Sequence, residues 1–330
     1  MKNPFVTNGY VSPEYFCDRE KETAKIVSLL TNENNIALIS PRRLGKTDLL
    51  RHCFGQPEIK EHYHTFIIDI YATSSVRDFV NVFGKAVLDE LRPKGKSVWG
   101  TFLNVLASLR SEITFDMNGQ PTWGIGLGAI TNPSATLDEI FSYLNNAGKP
   151  CLIAIDEFQQ ITKYADDPNI EAALRTHIQR CSNAHFVFSG SHRHLMGAMF
   201  TSPARPFYQS VTLINLPPIS VDKYAEFCLK HFERVSKHLD TLVVTELYER
   251  FNGITSYMQK VMNILFSMTG TGEICIPSMI DTAINDLLDF SADTYDALLY
   301  QMPEKQRIVF MAIAAEGKAV SYTHLRGPRD

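Results

Sequence analysis

The predicted fold is decided by one stretch, Ile36-Ala37-Leu38-Ile39-Ser40-Pro41-Arg42-Arg43-Leu44-Gly45-Lys46-Thr47. A short apolar run typical of a strand leads into a tight loop, and a helical pattern begins directly after the loop at Asp48. Strand, loop and helix in this order are the context that a phosphate-binding P-loop requires. In such a loop, backbone N–H groups and the N-terminus of the helix converge on an anion. The stretch therefore predicts a nucleotide-binding site.

The predicted loop gives a role to two side chains. Lys46 is expected to reach the β- and γ-phosphates, and the hydroxyl of Thr47 is expected to bind Mg²⁺. The usual pattern is G-x-x-x-x-G-K-[ST], and Ser40 stands at its first glycine, where a side chain tolerates unusual backbone angles less well. The alternative is an ordinary strand-to-helix turn with a chance Gly-Lys-Thr. The candidate nucleotide-binding residues are Ser40, Pro41, Arg42, Arg43, Leu44, Gly45, Lys46, Thr47 and Asp48.

A second motif lies at residues 151–158, where an apolar run ends in Asp156-Glu157. This is the Walker B arrangement, and the carboxyl ends of strands are where ligands bind in open α/β sheets. Asp156 is expected to hold Mg²⁺ through water, and Glu157 to orient and deprotonate the attacking water. Acidic residues after a strand are also common helix caps, but together with the P-loop the motif predicts a P-loop NTPase.

Four further residues, two serines and two arginines, are candidates for contact with the γ-phosphate. The strand after Walker B ends in small polar residues, so Ser189 or Ser191 is a candidate sensor; the alternative is a plain Ser/Gly turn. Arg205, in a short segment between two prolines, is a candidate catalytic arginine that acts in its own subunit or across an interface. The alternative is a surface arginine stacked on Phe207 or Tyr208, and Arg193 competes for the same role.

The organisation of the chain follows from its helical patterns and from the proline and glycine residues that interrupt them. A helix is predicted over 17–30 with Asp18 as its N-cap, a further helix near 99–110, and a hairpin that joins 113–115 to 123–128. The glycine alternation at 124–128 is interpreted as strand or loop. Pro217-Pro218 marks a domain boundary. Beyond it, helices are predicted over 221–234, 240–251, 255–268, 278–290 and 306–316.

Composition bounds the class of protein. The 330 residues are 45% hydrophobic and 21% charged with a net charge of −4, which argues against a protein that coats nucleic acid along its whole surface. The cysteines are scattered without metal-ligand spacing, so we expect reduced thiols and a cytoplasmic location. No signal-peptide core or membrane-length apolar run is apparent, and we expect no membrane association.

Taken together, the motifs at 40–47, 155–159 and 188–191 resemble the archaeal-type ATPase family, AAA+-like or STAND-class P-loop ATPases also found in bacteria. Residues 202–208 are similar to the family as well. Residues 16–20 resemble the F-x-G-R-E box that lies against adenine, with Asp18 in place of the glycine. Residues 252–257 stand where the helical lid of the family usually has Gly-x-Pro-Tyr, and the proline is missing here.

The resemblance implies an α/β fold with a parallel sheet of the ASCE type, in which an additional strand lies between those of Walker A and Walker B. It implies an ATPase core over 1–216 with an N-terminal lead at 1–35, and an all-α lid over 217–290. The start of a winged-helix domain without its recognition helix is expected at 291–330, ending in an anomalous tail at 321–330. ATP and Mg²⁺ are the implied cofactors. A homo-oligomer, an unidentified protein partner, or DNA bound through a full-length winged helix are the implied partners.

Two functions remain open at this stage. The first is a Mg²⁺-dependent ATPase whose nucleotide state moves the lid against the core. The alternative is a nucleotide-gated scaffold or DNA-associated regulator with little turnover. Glu157 favours hydrolysis, and Ser40 leaves room for slow turnover. A nucleotide kinase has no support, because no acceptor pocket or arginine-rich mobile lid is apparent. ATP is favoured over GTP by the family resemblance and by the lack of an Asn-Lys-x-Asp motif.

Overall fold

The computed structural model describes residues 3–91, 113–115, 121–123 and 133–316. Five parallel strands form the central sheet in the spatial order β2-β5-β6-β1-β7. The strands in chain order are β1 Ile36–Ile39, β2 His64–Asp69, β3 Ile113–Phe115, β4 Pro121–Trp123, β5 Cys151–Asp156, β6 Ala184–Gly190, β7 Thr212–Asn215, β8 His238–Leu239 and β9 Ile274–Cys275. The order of the sheet places β6 between the strands of the two predicted motifs, and this confirms the additional strand.

Twelve α-helices are described in these parts of the chain. They are α1 Glu20–Thr31, α2 Lys46–Phe54, α3 Pro57–His62, α4 Val76–Glu90, α5 Pro133–Asn145, α6 Ile170–Arg180, α7 Arg193–Thr201, α8 Val221–Glu233, α9 Thr241–Arg250, α10 Thr255–Met268, α11 Ile280–Gln301 and α12 Glu304–Glu316. The apolar sides of α1, α2 and α3 cover one face of the sheet. Those of α4 to α7 cover the other face. Because both faces are covered, β5 is buried along its whole length, as its continuous apolar run predicts.

The carboxyl ends of three strands meet at one edge of the sheet. Ile39 lies opposite Gly190 in the register of β1 with β6, and the N–H of Ser40 donates to the carbonyl of Gly190 over 3.4 Å. Asp156 ends β5 on the other side of β6. The P-loop, the Walker B acids and the end of β6 are therefore neighbours.

The region after Pro217 builds a second apolar cluster from α8 to α11. Helices α8, α9 and α10 lie close to their predicted bounds. An all-α lid is predicted here, but β8 and β9 pair in parallel over two residues each. The N-terminal lead also contributes to this cluster, since Phe5 is fully buried in it. The start of the lead thus packs with the helical region, although residues 1–35 are predicted to belong to the core.

The start of α1 differs from the prediction. Asp18 and Arg19 both have positive φ, 55° and 79°, so α1 begins at Glu20 and Asp18 is not its N-cap. The reason is a tertiary contact: the buried Arg19 guanidinium donates to the carbonyl of Pro217 over 2.7 Å and to Glu22 over 2.8 Å. This contact ties the lead to the segment that joins core and helical region.

A hairpin is formed by 113–115 and 121–123, with Ile113 opposite Trp123 in antiparallel register, so its second strand begins two residues before the predicted start at 123. The predicted helix at 99–110 and the glycine alternation at 124–128 lie outside the described residues.

The predicted start of a winged helix at 291–330 is not confirmed. No glycine or proline interrupts residues 280–302, and α11 accordingly continues through 291–301 instead of ending near 290. The helix that follows, α12, is exposed along nearly its full length. The anomalous tail at 321–330 lies outside the described residues. Across the part of the chain that the structure describes, no helix is long and apolar enough to span a membrane.

Candidate nucleotide-binding site

The P-loop takes its shape from two residues with positive φ, Arg43 at 69° and Gly45 at 84°. A Cβ at Gly45 would meet nothing within 4 Å, so the backbone angle, not a lack of space, favours glycine there. Ser40 does not have a positive φ, and its hydroxyl donates to the carbonyl of Pro41 over 3.0 Å. The serine at the usual glycine position is therefore accommodated without a left-handed backbone.

Lys46 is the first residue of α2 and is only 7% exposed. Its ammonium donates to the carbonyls of Ser40 and Pro41 over 3.3 and 3.4 Å. Burial lowers the pKa of Lys46, and the nearby carboxylates of Asp156 and Glu157 partly offset that effect. These long contacts with carbonyls leave a buried positive charge that a phosphate would compensate better.

Thr47 and Asp156 meet across the gap between α2 and β5. The Thr47 hydroxyl donates to Asp156 Oδ2 over 2.5 Å. A hydroxyl and a carboxylate are hard oxygen ligands, which suit Mg²⁺. Within the described residues, no group of three or more His, Cys, Asp or Glu side chains could hold a metal ion. Magnesium sites in proteins usually combine one or two carboxylates with substrate phosphates.

Glu157 follows β5 in a left-handed conformation, with φ 55°, and begins the 3₁₀ turn Phe158–Lys163. Its Oε2 accepts a hydrogen bond of 2.9 Å from the Ser191 hydroxyl and a second one from the Gln159 amide. The other predicted sensor, Ser189, is fully buried, and its hydroxyl has no hydrogen-bond partner among the described residues. The structure therefore brings Ser191, not Ser189, to the glutamate.

One cavity of about 340 Å³ is lined by Lys46, Thr47, Asp156 and Glu157. Its wall includes P-loop residues from Arg42 onward, both Walker B acids, the N-terminal lead and the start of α10. Ser40 and Pro41 are not part of the wall. Their carbonyl oxygens accept hydrogen bonds from Lys46, which is part of it. The lining residues are Val6, Thr7, Gly9, Tyr10, Val11, Tyr15, Phe16, Cys17, Arg19, Arg42, Arg43, Leu44, Gly45, Lys46, Thr47, Asp48, Asp156, Glu157, Ile219, Thr255, Ser256 and Gln259.

Three aromatic side chains, Tyr10, Tyr15 and Phe16, form part of the cavity wall. Phe16 stacks on His52 of α2 with ring centroids 4.4 Å apart, and the Tyr10 hydroxyl lies 3.1 Å from His52 Nδ1. Burial lowers the pKa of His52, which favours its neutral form. From the sequence, only Phe16 and its neighbours are expected in this part of the wall, because of the box at 16–20. Tyr10 is not predicted, because no local pattern indicates that the lead folds back onto α2.

The helical region touches the P-loop through Arg43. The Arg43 guanidinium lies 4.8 Å from the centroid of the Tyr257 ring and donates to the Tyr257 hydroxyl. The N–H of Ser256 donates to the Arg43 carbonyl over 3.2 Å. Gly253 has φ 68°, and a Cβ there would lie 2.8 Å from the Tyr248 ring. The segment without the family's proline thus still contacts the P-loop.

Arg205 does not line the cavity. Its guanidinium pairs with Glu171 of α6, and burial raises the pKa of this glutamate while the pairing lowers it. Arg193, at the start of α7, is exposed to solvent and is not part of the cavity wall either. Neither predicted arginine therefore lines the cavity.

Three solved structures illustrate the similarity of this fold to known proteins. A Walker-type ATPase of Pyrococcus abyssi matches with a TM-score of 0.61 at 19% identity, over 90% of this chain and 79% of that one. The ORC1 protein of Aeropyrum pernix, solved in complex with DNA, matches with a TM-score of 0.56 at 14% identity, over 92% and 73%. The ORC2 protein of the same organism, in ADPNP–ADP complexes, also gives 0.56 at 14% identity, over 86% and 71%.

A search of curated proteins gave no significant match. The family model described as an ATPase domain predominantly from Archaea matches residues 16–261, from the aromatic wall of the cavity to α10. The match includes the P-loop, the Walker B acids and the Arg43–Tyr257 contact. The chain therefore belongs to this family of ATPase domains found predominantly in Archaea.

Proposed function

We propose that this chain binds ATP with Mg²⁺ and hydrolyses it to ADP and phosphate. The observation that carries the proposal is that a buried P-loop lysine, a pair of hard oxygen ligands and a glutamate line one cavity. The aromatic side chains in the wall of that cavity suit a nucleobase, because bases stack on aromatic rings. The assignment of ATP over other nucleotides rests on membership of the ATPase family.

Each residue has a distinct part in the proposed reaction. The P-loop N–H groups and Lys46 bind the phosphates, and Thr47 and Asp156 hold Mg²⁺, which neutralises charge on the phosphates when bound. Glu157 takes a proton from water as the water oxygen bonds to the γ-phosphorus, and the bond from that phosphorus to the bridging oxygen breaks. We do not include Arg205 in the reaction of a single chain, because it is paired with Glu171. An action of Arg205 from a second copy of the chain stays a prediction.

We further infer that the nucleotide changes how the helical region over 217–290 lies on the core. Thr255, Ser256 and Gln259 belong to the same cavity wall as the P-loop. A ligand in the cavity contacts both sides, and Arg43 is shared between the loop and Tyr257. Only a ligand with different affinities for two arrangements shifts their populations, and the γ-phosphate is the group that distinguishes ATP from ADP.

Two variants test the proposal. Lys46→Ala should weaken ATP binding about 10- to 150-fold in calorimetry, since a charge-assisted contact is worth roughly 1.5–3 kcal/mol. Glu157→Gln should keep the affinity but lower steady-state phosphate release at least about 100-fold, the scale of a lost general base. Lys60→Ala and Glu58→Gln are matched controls, because both residues are exposed on α3. ATP affinity unchanged in Lys46→Ala would reject the site.

The second candidate function is a nucleotide-gated scaffold or a DNA-associated regulator with little turnover. The observation that favours it is that Lys46 and Glu157 are both engaged by groups of the protein itself. DNA enters as a partner class because the ORC1 neighbour was solved with it. Tight ATP binding by the wild type, with phosphate release no faster than in Glu157→Gln, would favour this candidate over the enzyme.

A further inference from the structure

Two donors hold the same oxygen of the Glu157 carboxylate. The Ser191 hydroxyl and the Gln159 amide both donate to Oε2. Ser191 in turn accepts a hydrogen bond of 3.3 Å from Arg42 in the P-loop, and it is partly exposed. Gln159 differs from Ser191 because its side chain is 97% buried. The two contacts together fix which oxygen of the carboxylate is engaged by the protein.

The buried amide of Gln159 occupies a slot that depends on Gly190 at the end of β6. A Cβ at position 190 would collide with Gln159 Oε1 and would lie 2.6 Å from the sulfur of Met196. The backbone angle at Gly190 is not one that requires glycine, so the reason for glycine is space. The absence of a side chain at 190 is what lets the amide lie beneath Glu157.

This placement is unfavourable for folding on its own. Within the described residues, Gln159 Oε1 is buried without a hydrogen-bond partner. An unpaired buried carbonyl costs free energy that an apolar side chain of similar size would not cost. The neighbouring Gln160 is different, since its amide donates to the backbone carbonyl of Thr73 over 2.8 Å and links the 3₁₀ turn to the loop after β2. Gln160 has a structural contact, whereas the hydrogen bond of Gln159 goes to the proposed base.

We propose that Gln159 is a positioning residue for Glu157, an inference that rests on the proposed function. Its amide engages Oε2 and so leaves Oε1 as the oxygen that accepts the proton from water. Gln159 itself touches neither nucleotide nor water. Its loss should therefore lower kcat without changing how tightly ATP binds. Misplacement of a reacting group by about 1 Å costs up to about 100-fold in rate.

Gln159→Met tests the inference, because methionine is also unbranched and has no N–H donor. We expect kcat for phosphate release to fall about 10- to 100-fold, with the dissociation constant of ATP unchanged in calorimetry. Gln160→Met is the matched control and should keep kcat close to that of the wild type. In a Glu157→Gln background, Gln159→Met should cause no further loss. A kcat for Gln159→Met equal to that of Gln160→Met would overturn the inference.

A second variant covers the outcome in which Gln159→Met does not fold. Gly190→Ala retains the amide but places a methyl group in its slot, so the amide must move away from Glu157. We expect the same fall in kcat at unchanged ATP affinity; a folded Gly190→Ala protein with wild-type kcat would contradict the inference. If wild-type turnover is absent, or is the same in Glu157→Gln, the proposed function fails. If Glu157→Gln is inactive while Gln159→Met and Gly190→Ala are fully active, only the positioning role fails.

Discussion

At the scale of single residues, Lys46 shows a conflict between stability and binding. Its ammonium is buried against two carbonyl oxygens, and burial lowers its pKa below the ordinary 10.5. The unfolded chain therefore keeps this proton to higher pH than the folded protein does. It follows that the charge destabilises the folded state at neutral pH, and that this penalty disappears as the pH rises past the folded pKa towards the ordinary value.

We expect Lys46→Met to lose ATP binding and yet be at least as stable as the wild type without ligand. The methylenes remain to fill the space, and the buried charge is removed, so Tm at about pH 7 should be equal or about 1–3 °C higher. The Tm difference between Lys46→Met and the wild type should shrink as the pH is raised towards about 10, because the wild-type lysine then loses its proton. Thermal unfolding at several pH values measures this. A clearly lower Tm for Lys46→Met at neutral pH would contradict it.

The residues of the motifs could be predicted from sequence, whereas their supporting contacts could not. Lys46, Thr47, Asp156 and Glu157 were identified because P-loop and Walker B chemistry requires fixed spacings along the chain. Of the two serine candidates, Ser189 is buried within β6, where neighbouring elements cover it. Ser191 lies just past the end of β6 and reaches Glu157. Where a strand ends cannot be read to one residue from local sequence.

At the scale of elements, the contact between the P-loop and α10 is one direct link between core and helical region. We expect Tyr257→Ala to loosen the start of α10 without nucleotide, because it removes both the ring under Arg43 and the hydroxyl that Arg43 donates to. Amide hydrogen exchange over 255–259 should accelerate roughly 3- to 10-fold, the scale of a contact worth about 1 kcal/mol. Tyr257→Phe keeps the ring and should show an intermediate effect. Unchanged exchange in Tyr257→Ala would mean that α10 is held by its other contacts.

The central strands are the elements that sequence predicts best. Their continuous apolar runs need cover on both faces, and a parallel sheet with helices on each side provides it. The pair β8–β9 and the start of α1 escaped prediction because both depend on partners distant in sequence. Arg19, for example, adopts a positive φ while its guanidinium reaches the carbonyl of Pro217, almost two hundred residues later.

At the scale of the whole molecule, the N-terminal lead connects the helical region with the core across the nucleotide cavity. Phe5 lies in the apolar cluster of α8 to α11, with ring centroids 5.7 Å from Phe266 and 5.9 Å from Phe232. Asn263 of α10 donates to the Phe5 carbonyl over 2.7 Å. From Val6 onward the lead lines the cavity and then enters α1. The part of the cavity wall that the lead forms is thus attached to the helical region through Phe5.

Phe5→Ala should therefore weaken nucleotide binding, although Phe5 does not line the cavity. Loss of a buried phenylalanine costs about 3–5 kcal/mol, which is enough for the lead to detach locally while the rest stays folded. We expect the dissociation constant of ATP to rise about 5- to 20-fold, because the bound nucleotide must then order the lead again. Phe290→Ala is the matched control, since that ring is 83% exposed on α11. Calorimetry of both variants measures ATP affinity, and hydrogen exchange over 6–16 measures whether the lead has detached. Faster exchange of the lead with weaker ATP binding supports its role as a cavity wall, whereas faster exchange with unchanged affinity would show that the lead covers the cavity without holding the nucleotide.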